Sequence, residues 1–415
     1  MCQGFRLKGR NQREVHISHV VFTINGPGEI SAWLYPIAHE LKQSRPDINI
    51  RVCLLPCVFS SGAERAVLEG LTLIDAVCDT KESLGLTLRN KWPQGLSRDT
   101  ADLVVHLGGE IALTTLLAKR LKTRAFAYVE NRFSLQRFFD KVFFSGLHPL
   151  PDAPRWNEVP DIGDLMVDAA TLRRQQARDM RGDKKMLGLF LGSREFMVVH
   201  SLPLFSAIVD DLAGQFPDHH WATPLSDFIS PEFLRQHAPL DGDGPHFHDQ
   251  DGERWIETRT GQRIDILSNR EILARADYAL TVPGTNTGEI AASGLPMLTV
   301  LPTQYAENAP LPGLAGHVQK IPFVGFQLKQ YLLHAALNKL DYVALPNRRA
   351  GRMIAPELIG EVPQAAISQG LADLMTRDVT DMKRDLKAAM GKPGAARIMA
   401  DAIIDHLDSR RTDAN

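Results

Sequence analysis

The segment from Ala276 to Pro302 constrains the fold of this chain more than any other. It contains an apolar run, Tyr278–Val282, then the turn Pro-Gly-Thr-Asn-Thr-Gly-Glu, a stretch of small residues and a second apolar run. This order predicts strand, tight turn, helix and strand, the repeating unit of a parallel α/β sheet. The helix would begin within Gly284–Gly288, so its free backbone N–H groups and positive dipole end would face a bound anion.

The same turn predicts a site for a nucleoside diphosphate. Glu289 lies in the first turn of the predicted helix, where its carboxylate is placed to accept hydrogen bonds from a ribose diol. Turns of this kind also begin helices in α/β domains that bind no nucleotide. A purely structural turn is therefore the alternative interpretation.

Length and composition indicate a globular protein with two α/β domains. A chain of 415 residues is longer than a domain with a single hydrophobic core usually is. Its content of 44% hydrophobic and 23% charged residues is ordinary for globular proteins. No uninterrupted apolar run approaches the roughly 18 residues that span a bilayer. The polar residues 1–18 predict a disordered lead without a signal peptide, and hence a cytoplasmic protein.

Charge is spread unevenly along the chain, although the net charge is only −2. Residues 1–150 carry an excess of lysine and arginine, which suits an anionic ligand, the inner membrane surface or simply a solvated face. No long basic stretch is interleaved with aromatic residues, so we expect no nucleic-acid partner. Cys53 and Cys57 lack a nearby histidine, and we expect free thiols and no metal there.

Strand-like and helix-like segments alternate in both halves of the chain. The alternation predicts two Rossmann-like domains, each a doubly wound parallel sheet, that bind ligands where their strands end. We expect an N-terminal domain over residues 19–170 and a C-terminal domain over residues 171–375. Residues 376–415 should form helices that pack back across the domain boundary. Within the second half, Glu253–Ile266 alternates as a β-hairpin does.

Two such domains facing one cleft form the GT-B glycosyltransferase architecture, and several motifs resemble one family with that fold. The block Asp341–Leu358, DYVALPNRRAGRMIAPEL, resembles the C-terminal signature of lipid-A-disaccharide synthases. Leu191–Arg194 resembles the Pro-Gly-Ser-Arg turn of that family, and Pro283–Glu289 resembles its Ser-Gly-Thr-x-x-x-Glu turn. A weaker match, Gly163–Asp168, lies at the domain junction. The resemblance covers most of residues 19–375.

The resemblance implies an inverting transferase that moves a hexosamine-like sugar from a UDP-sugar to an acceptor hydroxyl, without a metal or other cofactor. Arg194 would offset the charge of departing UDP, because a diphosphate leaving group needs fixed cations and N–H donors. Glu289 would bind the ribose. The other candidates for contacts with the donor are Gly192, Ser193, Gly284, Thr285, Asn286, Thr287, Asn347, Arg348 and Arg352. A surface arginine at 194 and a helix-capping loop at 347–352 are the structural alternatives.

The N-terminal domain would supply the acceptor site and a general base. Glu110 follows the predicted strand Leu103–Leu107, near the position of the family's catalytic aspartate, where a carboxylate can take the acceptor proton. Glu29 is the second candidate base, and both residues could instead be helix-capping carboxylates. The Gly-rich turn before Glu29 adds three acceptor-side candidates, Asn25, Gly26 and Gly28. His106 is predicted to be a buried strand residue.

The acceptor half departs from the family pattern. Its first turn reads Gly-Glu-Ile-Ser instead of Ser-Gly-Asp, and Asp164 stands where the family has a junction histidine. The sugar-nucleotide site is therefore better supported than a lipid A precursor as acceptor, which could be a small molecule or a glycolipid. Two other interpretations stay open: a UDP-sugar epimerase or hydrolase on the same scaffold, and a non-catalytic sugar-nucleotide-binding protein.

A phenylalanine-rich segment, residues 132–147, is the candidate for peripheral contact with the inner membrane surface. Its phenylalanines surround Arg137 and Lys141, as in segments that lie on anionic membranes. The alternative is a buried helix and strand leading to the domain junction. His246 and His248 lie in a polar insertion without an evident third ligand, so we expect no metal there.

Overall fold

The computed structural model describes residues 17–57, 60–94, 96–97, 101–147, 150–176, 184–303 and 341–413. The expected disordered lead lies outside these ranges except for Ile17 and Ser18. Residues 304–340, which hold most of a Pro- and Gly-containing passage before the C-terminal signature block, lie outside them as well.

The first domain contains a seven-stranded sheet in which neighbouring strands run parallel. Its strands are β1 (His19–Ile24), β2 (Asn49–Leu54), β3 (Ala76–Cys78), β4 (Leu103–His106), β5 (Arg124–Val129), β6 (Lys141–Phe144) and β7 (Glu158–Val159). The helices are α1 (Pro27–Glu29), a π-helical turn (Ile30–Leu34), α2 (Tyr35–Ser44), α3 (Glu64–Glu69), α4 (Thr80–Arg89), α5 (Ile111–Leu121), a 3-10 turn (Gln136–Phe138) and α6 (Leu165–Gln176). The spatial order β3-β2-β1-β4-β5-β6-β7 reverses between β1 and β4, where open parallel sheets bind ligands.

The second domain contains an eight-stranded sheet ordered β10-β11-β12-β9-β8-β13-β14-β15. Its strands are β8 (Met186–Phe190), β9 (His220–Pro224), β10 (His246–Gln250), β11 (Glu253–Glu257), β12 (Arg263–Leu267), β13 (Tyr278–Thr281), β14 (Met297–Pro302) and β15 (Glu357–Gly360). The helices are α7 (Glu195–Ala213), α8 (Pro231–His237), α9 (Asn269–Arg275), α10 (Thr285–Ala292), α11 (Leu345–Ala350), α12 (Gln364–Thr376), α13 (Thr380–Met390) and α14 (Ala395–Asp413). Strands β11 and β12 form the predicted hairpin, and β10 extends it antiparallel.

The central strands of both sheets are almost wholly buried. Every residue of β4 and β13 is buried, as are five of the six residues of β1. Parallel sheets need such continuous apolar strands because helices cover both of their faces. The expectation of two doubly wound parallel α/β sheets is therefore confirmed.

The last two helices pack on different domains. Leu386 of α13 joins a core cluster of the second domain, whereas Ile403 of α14 joins the main core of the first. The carboxylate of Asp168 in α6 accepts hydrogen bonds from the backbone N–H groups of Gly394 (2.7 Å) and Ala396 (3.2 Å). These contacts hold the beginning of α14 at the junction of the two domains.

The phenylalanine-rich segment follows the buried alternative rather than the membrane-surface interpretation. Phe139, Phe143 and Phe144 are fully buried, the last two within β6. Phe138 keeps 39% of its surface exposed, and the Lys119 ammonium lies 4.3 Å from its ring centroid. The chain buries these rings because β6 is an interior strand of the first sheet.

Helix α7 is the one helix in the described ranges that is long and apolar enough to cross a membrane. Its apolar residues, among them Leu202, Phe205 and Ile208, pack in the core of the second domain. Core helices of this kind pass the same test of length and composition as membrane spans do.

Candidate active site

A cavity of about 590 Å³ lies between the two domains, at the carboxyl ends of strands of both sheets. The first domain contributes the turn after β1 and Glu130 after β5. The second contributes the turns that follow β8, β9, β12 and β13. We call this cavity the interdomain cleft, and its volume is typical of small-molecule sites.

The predicted phosphate turn lines this cleft. Gly284 has a φ angle of 151°, a conformation that residues with side chains rarely adopt. It is the N-cap of α10 and supplies no side-chain hydrogen bond to the helix. The first backbone N–H groups of α10, those of Thr285 and Asn286, therefore stand at an uncapped helix end beside the cleft. With the helix dipole, they form a site suited to an anion.

Thr287 stabilises the turn from within. It is fully buried, and its hydroxyl donates to the Gly284 carbonyl (2.8 Å) while accepting the N–H of Leu345 (3.1 Å). A Cβ on Gly288 would clash with the side chains of Met166 and Leu345, so a larger residue there would require these side chains to shift. The Thr287 side chain thus stabilises the turn, and Thr287 is also among the residues that line the cleft.

Glu289 lies at the cleft, but both of its carboxylate oxygens already accept hydrogen bonds. Arg173 donates to one oxygen at 2.6 Å and Asn269 donates to the other at 2.9 Å. Arg173 also donates to the carbonyl of Ser31 in the first domain, at 2.9 Å. Any ribose contact of Glu289 would therefore share the carboxylate with Arg173, which bridges the two domains.

The turn after β8 also lines the cleft. Gly192 has a φ angle of 98°, and a Cβ there would lie 2.8 Å from the terminal methyl group of Met197. Ser193 follows it, and Arg194 is the N-cap of α7. The three residues that were predicted from the Gly-Ser-Arg motif thus face the same space as the phosphate turn.

The three candidate residues of the signature block, Asn347, Arg348 and Arg352, have different surroundings. Arg348 lines the cleft. Asn347 is fully buried, and its side chain bonds the backbone of Ala355 as well as Glu357, so its prediction as a donor contact is wrong. Arg352 is exposed, pairs with Asp385 at 2.7 Å and is not among the described residues that line the cleft, so its donor contact stays a prediction.

A second cavity, of about 440 Å³, lies at the carboxyl ends of β1, β4 and β5 in the first domain. We call it the acceptor cavity, after the role that the sequence analysis expects of the first domain. Asn25, Glu29 and Glu110, which are candidates for acceptor contact or for the general base, line it. The Asn25 side-chain oxygen is buried and has no hydrogen-bond partner among the described residues. Gly26 lies under Glu29, since a Cβ there would be 2.5 Å from that carboxylate.

The two cavities meet at three side chains: Glu29, Trp33 and Glu130 line both of them. Glu110 lines the acceptor cavity but not the interdomain cleft. The domains approach closely near this meeting point. A Cβ added to Gly28 of the first domain would lie 2.6 Å from the hydroxyl oxygen of Thr285 in the second. Glu29 therefore lies beside the beginning of α10, where the two cavities meet.

His106, at the site, and His248, in the second domain, both make contacts typical of structural residues. Burial lowers the pKa of His106 to about 4, and its ring contacts the Thr114 hydroxyl at 2.8 Å. His248 stacks on Trp255, with ring centroids 4.7 Å apart. In the part of the chain that the structure describes, no group of three or more His, Cys, Asp or Glu side chains could hold a metal ion.

Comparison with known proteins finds partial relatives of low sequence identity. No family model matches the chain. It is 24% identical over 283 residues to lipid-A-disaccharide synthase 2 of Legionella pneumophila strain Paris, covering 65% of this chain and 59% of that protein. It is 27% identical over 231 residues to lipid-A-disaccharide synthase of Aeromonas hydrophila, covering 53% and 48%. The chain is thus similar, at low identity and over part of its length, to lipid-A-disaccharide synthases.

The match to lipid-A-disaccharide synthases is partial in length, since the chain spans about half of the relatives that it matches. Solved structures show the fold to be GT-B. A UDP-GlcNAc 2-epimerase from Neisseria meningitidis, bound to UDP-GlcNAc, superposes with a TM-score of 0.51 at 13% identity, covering 93% of this chain and 100% of that one. The glycotransferase of kitacinnamycin gives 0.50 at 14% identity, covering 94% and 99%.

Three residues of the candidate site, Glu130, Asn269 and Arg173, were not predicted from the sequence. Glu130 comes directly after β5, and Asn269 comes two residues after the end of β12. Ligands bind at this edge of a parallel sheet, so the position of both residues in the sequence could have marked them as candidates. Arg173 gave no such signal, because it lies well inside α6. Its role depends on the packing of α6 between the two domains, which the local sequence does not specify.

Proposed function

We propose that this chain is an inverting glycosyltransferase that moves a hexosamine-like sugar from UDP to an acceptor hydroxyl. One observation carries the proposal: the uncapped beginning of α10 and the carboxylate of Glu29 lie on opposite walls of one interdomain cleft. The first suits a diphosphate, and the second suits the proton of an attacking hydroxyl.

The donor would place its diphosphate against the N–H groups of Thr285 and Asn286. Arg194 and Arg348 line the same cleft and would balance the two phosphate charges. Fixed N–H donors and cations stabilise a diphosphate leaving group as charge develops on it. In other enzymes a bound metal ion has this role. The proposed reaction therefore requires no metal.

In the proposed step the acceptor oxygen forms a bond to the anomeric carbon from the face opposite UDP. The bond between that carbon and the β-phosphate oxygen breaks, and its electron pair leaves with UDP. The acceptor proton passes to Glu29, because this carboxylate lines both cavities whereas Glu110 lines only one. Glu110 would contact the acceptor at a distance from the reacting atoms.

Three measurements on the purified chain test this function. UDP at millimolar concentration should raise the thermal unfolding temperature, and the enzyme should release UDP from a UDP-hexosamine only when an acceptor is present. Mass spectrometry should show the sugar on the acceptor. UDP-sugar consumption without acceptor would instead indicate an epimerase or a hydrolase. Failure to bind UDP would refute a sugar-nucleotide function.

A further inference from the structure

Trp33 lines both the interdomain cleft and the acceptor cavity. Among the residues that the structure describes, the phenylalanine, tyrosine and tryptophan side chains that line the cleft are Trp33, Tyr35, Phe190 and Phe228, and those that line the acceptor cavity are Trp33, Tyr128 and Phe133. Of these described residues, only Trp33 belongs to both sets. It therefore lies where a ligand would extend from one cavity into the other.

The position of Trp33 follows from the turn that carries it. The π-helical turn Ile30–Leu34 begins directly after Glu29, the proposed base, so Trp33 and Glu29 are four residues apart. The first and last residues of this turn are buried in the core of the first domain, whereas Ala32 packs in a core cluster with residues of the second. Turns of this wide helical type are rare and occur frequently at functional sites. The turn thus holds Trp33 between the domains and close to Glu29.

The indole of Trp33 has a fixed orientation. Its ring meets that of Tyr128 edge to face, with centroids 5.5 Å apart and an angle of 73° between the ring planes. Tyr128 is itself fully buried, and its hydroxyl donates to the carbonyl of Gly163 (3.3 Å) and accepts the N–H of Leu165 (3.2 Å). Trp33 packs against core clusters of both domains and remains partly exposed. A ring held in this way loses little conformational freedom when a ligand packs against it.

The proposed diphosphate site would bring the transferred sugar to the same place. Thr285, at the beginning of α10, lies so close to the first domain that a Cβ added to Gly28 would be 2.6 Å from its hydroxyl oxygen. A diphosphate on the N–H groups of Thr285 and Asn286 would therefore leave its sugar at the junction of the two cavities. A hexopyranose ring has C–H groups on its faces, and aromatic side chains bind apolar surfaces of this kind.

We propose that Trp33 recognises the sugar of the donor, with its indole packed against the apolar face of the transferred pyranose and away from UDP. This inference rests on the proposed transferase function and adds a residue that determines donor specificity. Because the contact is made to the sugar alone, Trp33 contributes to the binding of UDP-GlcNAc but not to that of UDP. A residue with a purely structural role would affect both ligands alike.

Isothermal titration calorimetry of the full chain with UDP and with UDP-GlcNAc, without acceptor, measures this difference. In Trp33→Leu the dissociation constant of UDP-GlcNAc should rise about tenfold, while that of UDP changes by less than about twofold. Trp33→Phe keeps an aromatic face and should weaken UDP-GlcNAc only about threefold. Trp255→Leu is the matched control, because Trp255 is a partly buried tryptophan outside the described lining of both cavities. It should leave both dissociation constants unchanged.

Tryptophan fluorescence of the wild-type chain gives a second readout. Of the five tryptophans in the sequence, Trp33 alone is among the described lining residues of the two cavities. UDP-GlcNAc should therefore change the emission spectrum more than UDP does. This additional, sugar-dependent change should be absent from Trp33→Phe.

The outcomes separate this inference from the function on which it rests. If the wild type binds UDP and Trp33→Leu weakens both ligands by the same factor, or weakens neither, the donor-specificity proposal is overturned and the transferase proposal stands. If Trp33→Leu does not fold, Trp33→Phe decides, since equal changes for the two ligands in that variant overturn the proposal as well. If the wild type binds neither UDP nor UDP-GlcNAc, the transferase proposal fails, and the role of Trp33 fails with it.

Discussion

Glu29 and Glu110 occupy different places in the site, and this difference predicts different kinetics for their variants. Glu29→Gln keeps the size of the side chain but removes the base, so kcat should fall about a hundredfold or more with KM little changed. Glu110→Gln should mainly raise KM for the acceptor, because Glu110 lines only the acceptor cavity. Steady-state assays of UDP release would distinguish the two. A larger loss of kcat in Glu110→Gln would reverse the assignment.

His106 predicts a pH dependence of stability. Its pKa is about 4 in the folded chain and close to the ordinary 6.5 when unfolded, so the unfolded chain binds its proton more readily. The stability due to the neutral ring is therefore complete above pH 6.5 and is lost as pH falls from 6.5 toward 4, by about 3 kcal/mol in all.

Thermal unfolding of wild type and His106→Asn across this pH range checks that expectation. The wild-type unfolding temperature should fall more steeply between pH 6.5 and 4 than that of the variant. His219→Asn serves as a comparison. Burial lowers the pKa of His219 as well, but His219 is far less buried than His106. Parallel curves for wild type and His106→Asn would show that His106 is not buried as a neutral ring.

At the scale of secondary-structure elements, the beginning of α14 is held by a side chain of α6. Asp168 in α6 accepts two backbone N–H groups at the beginning of α14, and charged hydrogen bonds of this kind contribute about 1–3 kcal/mol each. Asp168→Ala should therefore speed amide hydrogen exchange in α14 more than elsewhere. Asp405→Ala, at an exposed position of the same helix, is the control. Unchanged exchange in α14 after Asp168→Ala would contradict this account.

The elements around the phosphate turn could be predicted from sequence, whereas several side-chain roles could not. Strand β13, helix α10 and strand β14 follow local signals, namely two apolar runs separated by Gly- and Pro-containing turns. The roles of Asn347, in α11, and of Arg352, just after it, depend instead on their partners Glu357 and Asp385. These contacts span 10 and 33 residues of the chain, beyond the reach of the local motif.

At the scale of the whole molecule, Arg173 connects the two domains across the cleft. It pairs with Glu289 of the second domain and bonds the Ser31 carbonyl of the first, while both charged partners are largely buried. Removing one partner of a buried ion pair leaves the other charge uncompensated, at a cost of about 3–5 kcal/mol.

Arg173→Met should therefore lower the unfolding temperature and increase the radius of gyration in small-angle scattering, as the domains separate. The double variant Arg173→Met with Glu289→Gln should recover part of the lost stability, because it no longer buries an unpaired carboxylate. Arg397→Met is a control at an exposed ion pair. If Arg173→Met leaves both the unfolding temperature and the scattering curve unchanged, Arg173 does not join the domains.

The central claim is that the diphosphate of a UDP-sugar binds at the beginning of α10 inside the interdomain cleft. Hydrogen–deuterium exchange of the full chain, with and without UDP, tests it most directly because it locates the protected amides. The account predicts that UDP slows exchange in residues 284–289 and in the turn at 192–195. Protection confined to other segments, with these two turns exchanging as in the free protein, would contradict it.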